Sequence, residues 1–188
     1  MEKWYQKLTD YFPANEMKSQ EHMKTLFKDK EGIYVKEEGP HHVLVYLEKE
    51  DFIFIDYILI TNLSRGKGLG SKIMDVLKRK NKPIILEVDP VDTSVPDTSK
   101  RLRFYERNGF KKAEGIEYKR IHAVTNELNE MNILYWSSSP RSECWVFDRM
   151  QIAYEQVHAY RAREFYGKEP QGTNEVLYYK EKSYRTAY

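Results

Sequence analysis

The chain has 188 residues, 40% hydrophobic and 32% charged, which is enough for one domain with a real core and too little for two independent enzymes. Its 31 basic and 29 acidic residues nearly cancel to a formal charge of +2, so the clustered basic surplus of a nucleic-acid binder is missing. A lone Cys144 excludes an intramolecular disulfide, and the polar opening MEKWYQKLTD, with no long apolar run anywhere, predicts a soluble, cytoplasmic protein without signal peptide or membrane span.

Residues 2–11 read as a helix that Phe12-Pro13 interrupts, and Asn15 is a candidate N-cap for a second helix ending near Lys28. Extended runs follow at 32–36, 42–48 and 51–60. The turn chemistry of Glu38-Gly39-Pro40 and of residues 48–51 joins them into an antiparallel meander. Residues 56–77, DYILITNLSRGKGLGSKIMDVL, then read as a buried strand, a glycine-spaced turn and an amphipathic helix with Leu69, Ile73, Val76 and Leu77 on one face. Asn81-Lys82-Pro83 stops that helix, and residues 84–88 form a strand expected to lie parallel to the one before the turn.

A loop over 89–98 leads to a helix at 99–108, ended by Gly109, and strands are expected at 115–121 and 131–136. Ser137-Ser138-Ser139-Pro140 reads as a break. Beyond it, residues 141–165 look like one long helix with Val146, Met150, Ala153, Val157 and Tyr160 on a stripe, followed by a strand at 175–180. The division expected is therefore a domain over 1–137 and a C-terminal extension, 138–188, packed on it.

The turn Arg65-Gly66-Lys67-Gly68-Leu69-Gly70 is where chemistry is concentrated. Glycine at alternate positions lets the backbone turn tightly and approach a ligand, and the amides then lie at a helix N-terminus, which favours a phosphate or pyrophosphate. Spacing excludes a dinucleotide fingerprint, because Ser71 stands where its next glycine should be, and a P-loop, because Gly68 follows Gly66-Lys67.

The pattern Arg65-x-x-Gly68-x-Gly70 after an apolar strand, together with RLRFYERNGF from Arg101 to Phe110, resembles the two signatures of the GNAT family of N-acetyltransferases over about residues 1–137. The resemblance implies an α/β (α+β) fold: a mixed, mostly antiparallel central sheet with helices on both faces, here with the C-terminal helical extension added. It implies acetyl-CoA as cosubstrate, its pyrophosphate on Arg65, Gly66, Lys67, Gly68, Leu69, Gly70 and Ser71. The strand before the turn would splay from residues 84–88, so that pantetheine lies between them with Leu59 and Ile60 offering main-chain hydrogen bonds. One of those amides would stabilise the oxyanion, and Tyr105 would protonate the departing sulfur.

For the base, period-two alternation turns Glu87 away from Leu86 towards the cleft, with Asp56 as rival and an ion-paired carboxylate the alternative reading of either. Glu87, Asp89, Asp92 and Asp97 would form an acidic rim suited to a cationic amine. Arg101 and Arg103 would meet nucleotide phosphates or stay solvated. His41-His42 reads as exposed turn histidines rather than a metal site, and Cys144 as inert. The function expected is direct acetyl transfer from acetyl-CoA to a primary amine of a small molecule or peptide, with no nucleic-acid or membrane partner and homodimerisation left open. The alternative is a non-catalytic CoA-binding sensor or partner-binding protein.

Overall fold

The computed structural model describes residues 2–180. Its elements run α1 (Lys3–Thr9), α2 (Gln20–Asp29), β1 (Tyr34–Gly39), β2 (His42–Glu48), β3 (Ile53–Ile60), α3 (Leu69–Lys78), β4 (Ile84–Val88) and α4 (Pro96–Arg107). There follow β5 (Lys111–Lys112), β6 (Ile116–Ile121), β7 (Leu128–Trp136), α5 (Glu143–Ala153), α6 (Ala162–Tyr166), α7 (Thr173–Val176) and β8 (Leu177–Tyr179). The strands make an eight-stranded sheet in the order β1-β2-β3-β4-β7-β6-β8, with the short β5 also on β7. Only β3 and β4 run parallel, as a strand–helix–strand crossover requires; the remaining pairs are antiparallel. This is the mixed, mostly antiparallel sheet expected.

Apolar side chains alternate across the sheet into two cores. On one face Val43, Val45, Phe54, Tyr57 and Ile85 pack under α1, α2 and α5. On the other, Leu44, Ile53, Ile84 and Leu86 pack under Ile73, Met74 and Leu77 of α3 and Tyr105 of α4. The segment after residue 137 shares this architecture. Val146, Met150, Ala153, Val157, Val176 and Leu177 belong to the first core, and β8 adds a strand beside β6.

Two local expectations need correction. The second helix is capped by Ser19, whose hydroxyl accepts the His22 amide at 3.2 Å, and not by Asn15. Residues 13–17 are instead held in turns, Glu16 N–H donating to the Pro13 carbonyl at 3.0 Å. The helix expected over 141–165 is broken. After α5 the residues Tyr154–His158 form a single π turn, closed by the Ala159 amide donating to the Tyr154 carbonyl at 2.9 Å. Arg161 then adopts φ 50° and starts the separate α6. An extra residue in one turn rotates the following side chains, and here it directs His158 at the sheet.

α6 is seated on α2 by His22, which is fully buried, meets the Tyr166 hydroxyl at 3.0 Å through Nδ1 and stacks on Phe165 with ring centroids 5.0 Å apart. Burial, helped by the charge of Lys18, pulls the imidazole down to about 4. A histidine held neutral in the fold but protonated at about 6.5 when unfolded binds fewer protons native than unfolded, so stability is lost as pH falls from 6.5 towards 4. The unfolding free-energy difference between wild type and His22→Asn is therefore expected to shrink by about 3 kcal/mol between pH 7 and pH 4 in urea titrations; a constant difference would refute the assignment.

Candidate active site

β3 and β4 pair only from Ile53–Ile84 to Ile55–Leu86. β3 then runs on to Ile60 and β4 to Val88 with no bond between them. The parting coincides with a bulge, since Val45 of β2 lies opposite Tyr57 and Tyr46 opposite Ile55, leaving Asp56 as the extra residue. A bulge bends its strand and increases its twist, carrying the far half of β3 away from β4.

The phase of the ladder decides which main-chain groups face that gap. The Thr61 amide donates to the His41 carbonyl at 2.9 Å across the β2 side. Alternation then turns Leu59, paired with Val43, towards β2 as well, and leaves Ile58 and Ile60 facing the gap. Of the two residues the resemblance named, the main chain of Leu59 thus faces β2 and not the gap, while Ile60, like Ile58, lies on the open edge. The Ile60 carbonyl is occupied by Arg65 Nε at 3.2 Å.

Below the gap is a cavity of about 480 Å³ lined by both strands, α4, the segment before α2, and His158. Its floor is ionic. Lys18 and Asp56 form a salt bridge at 2.7 Å with side chains only 6% and 2% exposed, and the Tyr34 hydroxyl donates to the same carboxylate. Asp56, the rival base, is therefore already engaged. Glu87 points away from Leu86 as alternation requires, and its carboxylate lies 2.9 Å from His158 Nε2. Burial raises the Glu87 carboxyl against the opposing charges of Arg120 and Lys18. Burial, with Lys18 and Arg120, depresses His158 well below the ordinary histidine range. A neutral imidazole donating Nε2–H to Glu87 follows, and Nδ1 is buried without a partner among the described residues. Glu16 also lines the cavity, pushed up to about 7 by burial and by Asp89, with Arg101 opposing.

Tyr105 on α4 is 4% exposed, lies edge-on to Phe104 and Phe110, and lines the cavity. Burial raises its phenol strongly, so it stays protonated. Tyr11, which also lines the cavity, is held between Arg65, 4.7 Å from its ring centroid, and Arg101, 5.9 Å from it. Asp97 accepts from the Tyr11 hydroxyl at 3.2 Å and from Arg65 at 3.3 Å, and Asp89 accepts from Arg101 at 2.6 Å. The acidic rim expected is consequently not free. Asp89 and Asp97 are paired with arginines, Asp92 accepts from Ser94, and Glu87 lies in the floor. Arg103 bonds its own helix at the Ser99 carbonyl, 3.2 Å away.

In the turn, Gly66 and Gly68 have φ of 76° and 79°, the left-handed region that glycine alone enters freely. Gly70 serves close approach instead, since a Cβ there would lie 2.9 Å from the Phe104 ring. The amides of Leu69, Gly70 and Ser71, in the first turn of α3, have no protein acceptor among the described residues. Lys67 is exposed beside them.

No family model matches the chain. "Putative acetyltransferase YjbC" of Bacillus subtilis (strain 168) is 49% identical over 174 residues, which are 93% of this chain and 91% of that protein. The solved "Putative acetyltransferase from GNAT family from Bacteroides thetaiotaomicron" superposes with a TM-score of 0.67 over 82% of this chain and 89% of that one, at 20% identity. The chain belongs to the acetyltransferases, and its fold is that of a GNAT-family member. The ribosomal-protein-S18-alanine N-acetyltransferase of Escherichia coli matches less, with a TM-score of 0.44 over 63% of this chain and 79% of that one, at 17% identity.

Among the charged residues lining this acetyltransferase's cavity, Glu16, Lys18, Arg120 and His158 escaped the sequence reading. His158 carried a faint signal, a polar residue next to Val157 on a stripe otherwise apolar; the other three lie among surface-like charges. No group of His, Cys, Asp and Glu suited to a metal ion occurs among the described residues, and Cys144 is exposed. No helix among them is long and apolar enough to cross a membrane.

Breaking a buried ion pair leaves one charge uncompensated. Lys18→Met is therefore expected to lower stability by about 3–5 kcal/mol in urea unfolding at pH 7. Adding Asp56→Asn recovers part of that loss; a double variant weaker than the single one would refute the pairing.

Proposed function

We propose that this acetyltransferase moves the acetyl group of acetyl-CoA directly to a primary amine of a small molecule or peptide held in the cavity, without a covalent enzyme intermediate. The observation that carries the reading is the parting of β3 and β4 after Ile55–Leu86, which joins the glycine turn to a cavity with a buried carboxylate. The pyrophosphate is assigned to the amides of the turn 65–71, with Arg65 and Lys67 adding charge. To receive it, Arg65 exchanges its contact with Asp97. Pantetheine extends along β3, bonding Ile58 and Ile60 in the manner of an added strand.

The amine attacks the thioester carbon, and an amide on the open edge of β3 stabilises the oxygen on which charge develops. As the C–S bond breaks, the Tyr105 hydroxyl donates a hydrogen bond to the sulfur. Full transfer from a phenol of raised pKa to a thiolate whose acid has a pKa of about 8.5 is uphill, so the bond stabilises the leaving group more than it moves a proton. Glu87 takes the proton released by nitrogen, with His158 fixing its orientation and offering Nδ1 beside it. The one cysteine, exposed Cys144, plays no part, and a reducing cytoplasm is the compartment in which it stays a thiol.

Binding of acetyl-CoA by calorimetry, followed by CoA thiol release over a panel of amines, tests the reading; absence of binding overturns it. Tyr105→Phe is expected to lower kcat by about 10²-fold with acetyl-CoA affinity unchanged. In kcat against pH, the wild type should lose activity on the acid side with a midpoint above the ordinary carboxylate range, because the base form of Glu87 is lost as pH falls through its raised value. That limb should be absent in Glu87→Gln, and an identical limb in the variant would remove Glu87 from the role.

A further inference from the structure

A cation in the cavity floor has no hydrogen-bond acceptor among the described residues. Arg120, on β6, lines the cavity, and its Nε is shut off from solvent with no partner among the described residues. No side-chain hydrogen bond or ion pair joins its guanidinium to another described residue. The carboxylates of Glu87 and Asp56 and the hydroxyls of Tyr118 and Tyr57 act on it through space. Glu87 is already bonded to His158, and Asp56 to Lys18 and Tyr34. Arg120 is half-buried, and its guanidinium presents a planar fork of donors shaped for a carboxylate. An anion supplied from outside the chain accounts for it.

The phosphates of CoA are not that anion. They are assigned to the turn beyond the end of β3, whereas β4 and β7 stand between β3 and β6 in the sheet, a separation of roughly 14 Å at the usual strand spacing. What reaches Arg120 is the other substrate. The same cavity holds the carboxyls of Glu16 and Glu87, able to receive an ammonium or its proton, and Asn129, in register with Arg120 and fixed by its own bond to the Asn15 carbonyl. At about 480 Å³ the space suits a small molecule bearing both charges.

We propose that the acceptor is an amino acid or close analogue, whose carboxylate pairs with the Arg120 guanidinium and whose amine is the nitrogen acetylated. The assignment rests on the acetyl-transfer reading above. The amine nitrogen bonds to the acetyl carbon, the carbon–sulfur bond breaks, and the proton lost by nitrogen balances the one gained by sulfur, giving an N-acetyl amino acid and CoA thiol.

The test pairs each of the twenty common amino acids, β-alanine and 4-aminobutyrate with the amine that lacks its carboxylate, measuring thiol release after calorimetry with acetyl-CoA. At least one amino acid is expected to exceed its decarboxylated partner by about 100-fold in kcat/KM, mostly through KM. Arg120→Gln should erase that preference by slowing the amino acid far more than the amine, and Arg120→Lys should restore part of it. Acetyl-CoA binding with turnover of amines alone, or with no amino acid turned over, overturns the proposal while leaving acetyl transfer intact. A lowered thermal midpoint in Arg120→Gln with equal losses on both members of a pair makes Arg120 structural and also overturns it. No binding of acetyl-CoA defeats the transfer reading itself.

Discussion

The parting of β3 from β4 is the constraint on which the rest of the molecule depends. A continuous parallel ladder would satisfy the main chain of Ile58 and Ile60 and leave no room beneath. The bulge at Asp56 prevents it by shifting the register against β2 from Tyr46–Ile55 to Val45–Tyr57. The same bulge places Asp56 against Lys18 and Tyr34 in the floor. One inserted residue thereby opens the sheet edge, resets the alternation of apolar side chains beyond it, and supplies the anion that holds the segment before α2 across the opening.

A polar floor under an open sheet is expensive, and the fold meets that cost pair by pair. Lys18 is paired with Asp56, Glu87 with His158, and the Asn129 amide with the Asn15 carbonyl. In each pair, a residue of the sheet meets one contributed from outside it, by the chain before α2 or by the π turn after α5. The cavity is therefore a property of the whole described chain. The helices of the second core, with the glycine turn between β3 and α3, provide its other wall, where Gly70 lets α3 approach Phe104 of α4.

What the sequence made legible follows from how local each feature is. The glycine turn, the crossover, the meander and the helix carrying Tyr105 are written in adjacent residues, through spacing, periodicity and turn chemistry. Alternation along β4 was enough to direct Glu87 inward, since it needs only Leu86 as reference. Leu59 was misjudged because the bulge shifts the phase of β3, and no residue type announces a bulge. The cap of α2 was misjudged because Asn15 and Ser19 are both good caps in isolation, and the turn at 13–17 with the tertiary bond from Asn129 to the Asn15 carbonyl takes Asn15 out of that place. The acidic rim looked free in sequence because its arginine partners, Arg65 and Arg101, lie far along the chain from Asp97 and Asp89.

The residues after 137 are where this matters most for chemistry. An uninterrupted α-helix from α5 onwards would have continued an apolar stripe over the sheet and carried no side chain into the cavity in a defined place. The π turn at Tyr154–His158 keeps Val157 of that stripe in the core while His158, beside it, reaches Glu87. Such turns cost regular hydrogen bonding and persist where the rotated side chain is used. A carboxylate alone in that floor would be driven to its neutral form by burial. Bonded to a neutral imidazole, it has a donor for its charged form. The charges of Arg120 and Lys18 favour the ionised carboxyl against burial, and the extension adds an imidazole donor beside them.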